Sequence, residues 1–143
     1  MKAQAIWNAF QAIFAGIGAF IGWFMGGLDG LIYVLVVFAV CDYATGVASA
    51  FVRKELSSEI GAKGIVKKVV MFTIVGVGHL VDAYMLGGNA LRTAILFWYI
   101  ANEGLSIIEN AVILGVPVPG ILRDALVQIR KKSDGKSEDE KGE

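Results

Sequence analysis

The residues of this chain that could do chemistry interrupt one of its hydrophobic stretches, residues 91–114. On a helix, which turns by about 100° per residue, Glu103, Ser106 and Asn110 fall on one face. Asn102 and Glu109 flank that face. Acids and amides inside a membrane are stable only where other protein or water keeps lipid away from them. The pattern therefore predicts a polar stripe that binds something polar, or lets it pass, between helices.

A further acid, Asp42, lies in an earlier hydrophobic stretch and is followed by Thr45 and Ser49 at helical spacing. An aspartate at the centre of a bilayer costs roughly 2.5–3.5 kcal/mol on insertion scales, so it must be protonated, paired or in contact with water. One alternative is that Asp42 only caps a local helix break. With Glu103 at a similar depth and no basic residue expected there, the acids favour a proton-holding pair or a water-filled lumen. The expected lumen or intramembrane polar residues are Asp42, Thr45, Ser49, Asn102, Glu103, Ser106, Glu109 and Asn110.

Two ion pairs are expected from the depth of the residues alone. Asp82 and Arg92 flank a short outer turn between two hydrophobic stretches. Lys67 or Lys68 lies near the level of Glu109 at the inner interface. Opposite charges at these positions would offset part of the cost of taking each charge out of water.

Glycines at every fourth position mark the first hydrophobic stretch, at Gly18, Gly22 and Gly26. Small residues at this spacing let helix backbones approach closely in a membrane, where the hydrophobic effect no longer distinguishes protein from lipid. Gly46 is the corresponding small residue in the second stretch. The pattern predicts helix packing, either between copies of the chain or within one subunit.

Composition places the chain in the membrane class and excludes several others. Hydrophobic residues make up 56% of its 143 residues, and thirteen basic residues balance thirteen acidic ones, which disfavours a nucleic-acid partner. A single cysteine, Cys41, rules out an internal disulfide and a cysteine-based zinc cluster. No catalytic motif is present, so we expect neither an enzyme nor a metal or other cofactor.

The chain is long enough for about four transmembrane helices, since each needs about 20 apolar residues. The first stretch is the weakest, because Asn8 and Gln11 would also let it lie in the interface as an amphipathic helix. The predicted fold is therefore an all-α membrane protein with four spans, or with three spans and an N-terminal interfacial helix. The four stretches are residues 5–26, 31–52, 65–86 and 91–114.

Basic residues indicate the orientation of these spans. Twelve of the thirteen fall on one side of a four-span arrangement, and only Arg92 falls on the other. The positive-inside rule then places both termini and the loop at residues 53–68 in the cytoplasm. Pro117 and Pro119 end the last span, so the transmembrane domain covers residues 1–120. Residues 121–131 are predicted to form an amphipathic helix at the inner membrane surface, and residues 132–143 a disordered, charged cytosolic tail.

Four spaced patterns occur in order along the chain: Asp42-x-x-Thr45-Gly46 with Ala50; Ser57/Ser58 with Gly61, Gly64, Lys67 and Lys68; Asn102-Glu103-x-x-Ser106-Ile107-x-Glu109-Asn110; and Gly115-x-Pro117-x-Pro119. This series, which covers residues 42–119, resembles the toxin-secretion and phage-lysis holin family of Gram-positive bacteria and their phages. The third pattern followed by the fourth is the most specific part of the resemblance.

The resemblance implies a multi-pass, non-enzymatic protein of the bacterial cytoplasmic membrane that assembles into lesions at a programmed time. Its partners would be the lipid bilayer, further copies of itself and, functionally, the endolysin or large toxin that the lesions release. The residues alone leave two alternatives open. One is a small ion or proton channel, or a transporter subunit, and the other is a membrane adaptor that docks a cytosolic partner through residues 53–68.

Overall fold

Helices make up the fold of residues 2–134, which are the residues that the computed structural model describes. The all-helical prediction is confirmed for this part of the chain. A π-helical turn, Asp82–Leu86, follows α3. The five α-helices are α1 (Lys2–Phe24), α2 (Gly30–Val52), α3 (Ser58–Val81), α4 (Ala90–Ile113) and α5 (Gly120–Ser133).

Side-chain caps and glycines fix the ends of the helices. Asp29 accepts a hydrogen bond from the backbone N–H of Ile32 at the start of α2, and Ser57 does the same for Ile60 at the start of α3. Gly26 ends α1 with a φ of 80°, where a Cβ atom would lie 2.5 Å from Nδ1 of His79. This position therefore requires glycine for its turn, which differs from the helix-packing role expected of Gly26.

The core lies where α2, α3 and α4 meet. Leu35, Val75 and Leu96, one from each helix, are fully buried. Met71 of α3 and Ile100 of α4 extend the same cluster along the bundle. Because α4 packs along both α2 and α3, the three helices share the same height in the molecule.

Three helical segments are long and apolar enough to cross a membrane: α1, α2 and the continuous segment Ser58–Leu86. Four spans are not confirmed, since α4 is not among them. It carries the polar stripe predicted from the sequence, which lowers its hydropathy. These three candidate spans also differ from the three-span alternative predicted from the sequence. In that alternative the first hydrophobic stretch was an interfacial helix.

α5 packs along α4 instead of extending away from the bundle. Its Leu126 is buried against Leu105 and Ile108 of α4, and Ser133 at its other end lies in the same cleft as Ala90. The helix therefore runs antiparallel to α4, and the protein buries Leu126 but leaves Ile121 and Leu122 exposed. The sequence predicted residues 121–131 as an amphipathic helix at the inner membrane surface, and this contact with α4 was not part of that prediction. The expected tail at 132–143 begins within α5, and residues 135–143 lie outside the described residues.

α1 is the least integrated helix, since none of its residues is buried. Its aromatic side chains pack mainly on one another, with the rings of Phe10 and Phe14 4.5 Å apart. Only Phe24 at its end reaches the bundle, where its ring lies over Gly76 of α3. One aromatic ring in a glycine-lined site thus holds the end of α1 in place.

Gly76→Ala should weaken this contact. A Cβ atom on Gly76 would lie 2.0 Å from Cε1 of Phe24, so the ring must move, and overpacking of this kind costs about 1–3 kcal/mol. The measurement is the free energy of unfolding in detergent micelles. Gly16→Ala is the matched control, because no atom lies within 4 Å of its added Cβ. An equal response of both variants would contradict the contact.

Candidate functional site

Three charged side chains meet between the helices at about mid-height. Nζ of Lys68 in α3 lies 2.5 Å from Oδ2 of Asp42 in α2, and it also donates a hydrogen bond to Oε2 of Glu103 in α4. The three side chains are only 13–19% exposed. We call this group the charge cluster. It contains two carboxylates and one ammonium, and it joins all three helices of the core.

The position of Lys68 is the main departure from the sequence-based expectation at this site. The sequence placed the start of the third helix at residue 65, so Lys68 was expected at the inner interface. In the structure α3 starts at Ser58, and Lys68 lies ten residues further on, about 15 Å along the helix axis. A basic residue is therefore present at the depth of the two acids. The capping serine Ser57, followed by an acid in the first turn at Glu59, was the sequence signal for the earlier start.

Asp42 uses its second carboxylate oxygen as well. Nδ2 of Asn110 donates to Oδ1 of Asp42 at 3.3 Å and lies 3.1 Å from Oγ1 of Thr45. The Thr45 hydroxyl in turn donates to the backbone carbonyl of Cys41 at 2.8 Å. Gly46 lies beside Asn110, since a Cβ there would be 3.6 Å from Nδ2. Asn110 and Thr45 thus extend the charge cluster toward the C-terminal end of α2.

The other residues of the predicted polar stripe lie outside the charge cluster. Asn102 donates to the backbone carbonyl of Trp98 at 2.8 Å. Ser49 is buried, and its hydroxyl has no hydrogen-bond partner within residues 2–134. Glu109 is exposed and forms no ion pair with Lys67 or Lys68 in the described chain, which differs from the expected pair.

A groove connects the charge cluster with one end of the bundle. Its floor includes Ser106 and Asn110 of α4, and its mouth carries Arg53, Lys63 and Lys67. The groove has a volume of about 360 Å³. Since a water molecule occupies roughly 30 Å³ in the liquid, a groove of this size holds on the order of ten waters. Water therefore has a route to Asp42 and Lys68 from the end of the bundle that carries these basic residues.

A second polar site, around the guanidinium of Arg92, closes the opposite end of the bundle. Nη1 of this buried side chain lies 2.7 Å from Oδ2 of Asp29. Nε donates to the carbonyl of Met25 at 2.6 Å, and Nη2 donates to that of Gly27 at 3.2 Å. The hydrogen bond from Arg92 holds the pKa of Asp29 below its usual value. Sequence reasoning missed Asp29, although an aspartate directly before a helix is a recognisable capping signal.

Asp82 has a different role from the one expected. Its carboxylate accepts hydrogen bonds from the backbone N–H groups of Leu91 at 3.2 Å and of Arg92 at 2.7 Å. It therefore caps the first turn of α4, where free N–H groups favour a negative charge. The expected Asp82–Arg92 ion pair is replaced by this cap and by the Arg92–Asp29 pair.

The arrangement offers charge and hydrogen bonds. Within residues 2–134, no group of three or more His, Cys, Asp or Glu side chains is placed to hold a metal ion. What the charge cluster provides chemically is a set of paired charges at mid-height in an apolar bundle.

Comparison with known proteins identifies several relatives. A family model described as the bacteriophage holin family matches residues 19–131. An uncharacterized protein of Listeria innocua is 40% identical over 123 residues, which cover 86% of this chain and 88% of that protein. An uncharacterized protein of Clostridium perfringens is 41% identical over 119 residues, 82% of this chain and 88% of its own length. A probable holin of Bacillus phage phi105 is 38% identical over 105 residues, 73% and 78% of the two chains. No solved structure matches.

Lys68→Met should destabilise the bundle by roughly 3 kcal/mol or more, because it leaves Asp42 and Glu103 largely buried without their counter-charge. Adding Asp42→Asn and Glu103→Gln to the same chain should restore most of the loss, because no unpaired charge then remains. The measurement is denaturant unfolding in detergent. Lys67→Met is the control, since this neighbouring lysine is exposed. If the Lys68 and Lys67 variants unfold alike, the charge cluster does not hold the helices together.

Proposed function

The chain belongs to the bacteriophage holin family, and we propose that it oligomerises in the bacterial cytoplasmic membrane and forms lesions there. In this proposal the lesions release an endolysin, or a large toxin, at a set time. The observation that carries the proposal is the charge cluster of Asp42, Lys68 and Glu103, held between helices whose outward-facing residues are largely apolar. A bundle of this kind keeps these charges away from lipid, while it stores charge that only water can accommodate once the bundle opens.

The charge cluster gives the proposed change of state a physical basis. While Lys68 bridges Asp42 and Glu103, one positive and one negative charge are neutralised and the three helices stay together. An assembly that admits water through the groove lets each of these groups be hydrated instead. The equilibrium between the closed bundle and the opened assembly then moves toward the state that binds water and further copies more tightly. We propose that the residues predicted to line a lumen reach water in that second state; they are Asp42, Thr45, Ser49, Asn102, Glu103, Ser106, Glu109 and Asn110.

Self-association is assigned to α1 in this proposal. The helix is exposed along its length, and nothing lies within 4 Å of a Cβ placed on Gly18. Asn8 and Gln11 fall on the same face as Gly18 and Gly22 at helical spacing. Their amides need hydrogen-bond partners at membrane depth, and the same amides on a second copy offer both donors and acceptors.

The orientation proposed for the bundle follows its basic residues. Arg53, Lys63 and Lys67 lie around the mouth of the groove. The positive-inside rule places that end in the cytoplasm, so the groove opens to the compartment that holds the cargo. The last turn of α5 points toward the opposite end, where Ser133 lines one cleft with Ala90, Thr93 and Phe97.

Expression of the gene in a bacterium that contains a cytosolic reporter protein of tens of kilodaltons should release the reporter into the medium. A wide lesion lets folded proteins pass, whereas a narrow pore does not. The measurement is reporter activity outside the cells together with potassium efflux. Efflux of ions without reporter would instead favour a channel or transporter subunit, and growth without any leakage would favour an adaptor. Either result would contradict the proposed lesion.

Gly18→Leu combined with Gly22→Leu should delay or prevent this release, because the leucines keep the backbones of two α1 helices apart. A loss of about 1.4 kcal/mol in association lowers the association constant about tenfold. Ile13→Leu with Ile17→Leu is the matched control, since both lie on the bulky face of the same helix. Chemical crosslinking in membranes, with a reagent that forms no disulfide, measures the number of subunits in the oligomer directly. Unchanged oligomers and unchanged release in the glycine variant would remove α1 from the interface.

A further inference from the structure

The depth of α5 in the bundle is fixed by its contacts with α4 and α2. A Cβ atom on Gly104 would lie 2.9 Å from Cδ1 of Leu126, and the Phe38 ring packs against the same leucine. Gly104 is the neighbour of Glu103, so the middle of α5 lies at the height of the charge cluster. The last turn of α5 lies over the first half of α4, where Ser133 lines one cleft with Ala90, Thr93 and Phe97.

The side of α5 that faces away from α4 carries three polar residues and one apolar residue, Ile121, which is 80% exposed near the start of the helix. Asp124, Gln128 and Lys131 are spaced by four and three residues, so they share one helix face, and all three are exposed. This outer face of α5 extends about 10 Å along the helix axis. Neither Asp124 nor Lys131 forms an ion pair within residues 2–134.

Hydrocarbon cannot be the environment of this face. α2 and α3 are candidate spans, α4 packs along both, and α5 packs along α4. The outer face of α5 therefore lies at the height of the spans. A carboxylate, an amide and an ammonium at that height need water or polar protein around them, because lipid offers them no hydrogen bonds. The charge cluster, in contrast, has an ammonium group between its two acids inside the subunit.

We propose that the outer face of α5 faces the water of the lesion, so that α5 forms part of the lesion wall and α4 supports it from behind. This inference rests on the proposed function and names the surface of each copy that meets the water column. Asp124, Gln128 and Lys131 are then lumen-lining residues that the sequence alone assigned to the membrane surface. Water lies against this face in the lesion, and the same face on further copies encloses that water.

The test uses the full chain in bacterial membranes, with its cysteine removed by Cys41→Ser. Gly104→Cys together with Leu126→Cys places two thiols where α5 crosses α4, and the second change removes the leucine atoms that would crowd the first. If α5 stays on α4 in the lesion, this pair forms a disulfide and the oxidised protein releases the cytosolic reporter as well as the reduced protein does. If oxidation abolishes release, or the disulfide does not form, α5 leaves α4 and the inference is overturned.

Thiol labelling supplies the second measurement. In lesions, Gln128→Cys should react with a charged, water-soluble thiol reagent, roughly tenfold or more faster than Val40→Cys, because only a hydrated thiol ionises readily. Val40 is the matched control, since it is 64% exposed on α2 and close in sequence to Phe38. Equal, slow labelling at both positions would place the face in lipid and overturn the inference.

The outcomes separate this inference from the proposed function. If the Cys41→Ser parent releases no reporter, the lesion itself is refuted and the lumen with it. If the parent releases reporter while oxidation of the Gly104→Cys, Leu126→Cys pair abolishes release, only the assignment of α5 is wrong. The same holds if the parent releases reporter while Gln128→Cys is labelled as slowly as Val40→Cys. Should the reduced pair fail to release reporter, the labelling of Gln128→Cys against Val40→Cys decides the assignment by itself.

Discussion

The ion pairs of Lys68 with Asp42 and Glu103 are the interaction on which the rest of the structure depends. Each of the three core helices contributes one charged group, so the pairs form only when all three helices have the correct register. Buried ion pairs add little net stability compared with apolar side chains of the same size, but the loss of one partner is costly. The charge cluster therefore specifies one arrangement of helices whose apolar surfaces would otherwise slide past one another. It also keeps the acids away from lipid in the single subunit.

A second polar site at the end of the bundle complements the charge cluster. Arg92 ties α4 to the turn between α1 and α2, and Asp82 caps α4 in the same region. The apolar core with Leu35 and Leu96 lies between the two polar sites along α2 and α4. Two polar sites at different heights determine both the register and the rotation of a helix pair. Apolar packing alone tolerates many such arrangements, since methyl groups have no directional preference.

Local patterns of the sequence were sufficient for some of these features. Hydrophobic length predicted α2 and α4 to within a few residues, and the polar stripe on α4 followed from helical periodicity. The predicted start of α3, at residue 65, was too late, because the first two turns of the helix after Ser57 contain polar residues and glycines. That error moved Lys68 from mid-height to the interface and hid its pairing with Asp42. The partner of Arg92 was also missed, since Asp29 is distant in sequence and the nearby Asp82 is occupied by backbone N–H groups.

The fold-back of α5 could not be predicted, because it depends on a tertiary contact. An amphipathic helix with one apolar face satisfies that face equally well on a membrane surface or on a protein. What decides the choice is the space above Gly104, which admits Leu126, and that space exists only once α2 and α4 have packed. The same contact separates two kinds of polar group in this chain. Asp42 and Glu103, between α2, α3 and α4, share the ammonium group of Lys68 within one subunit, whereas the outer face of α5 and the amide-bearing face of α1 have no partner within residues 2–134. A subunit built in this way holds its acids against Lys68, and further copies and water can supply the polar surroundings that its outer surfaces still require.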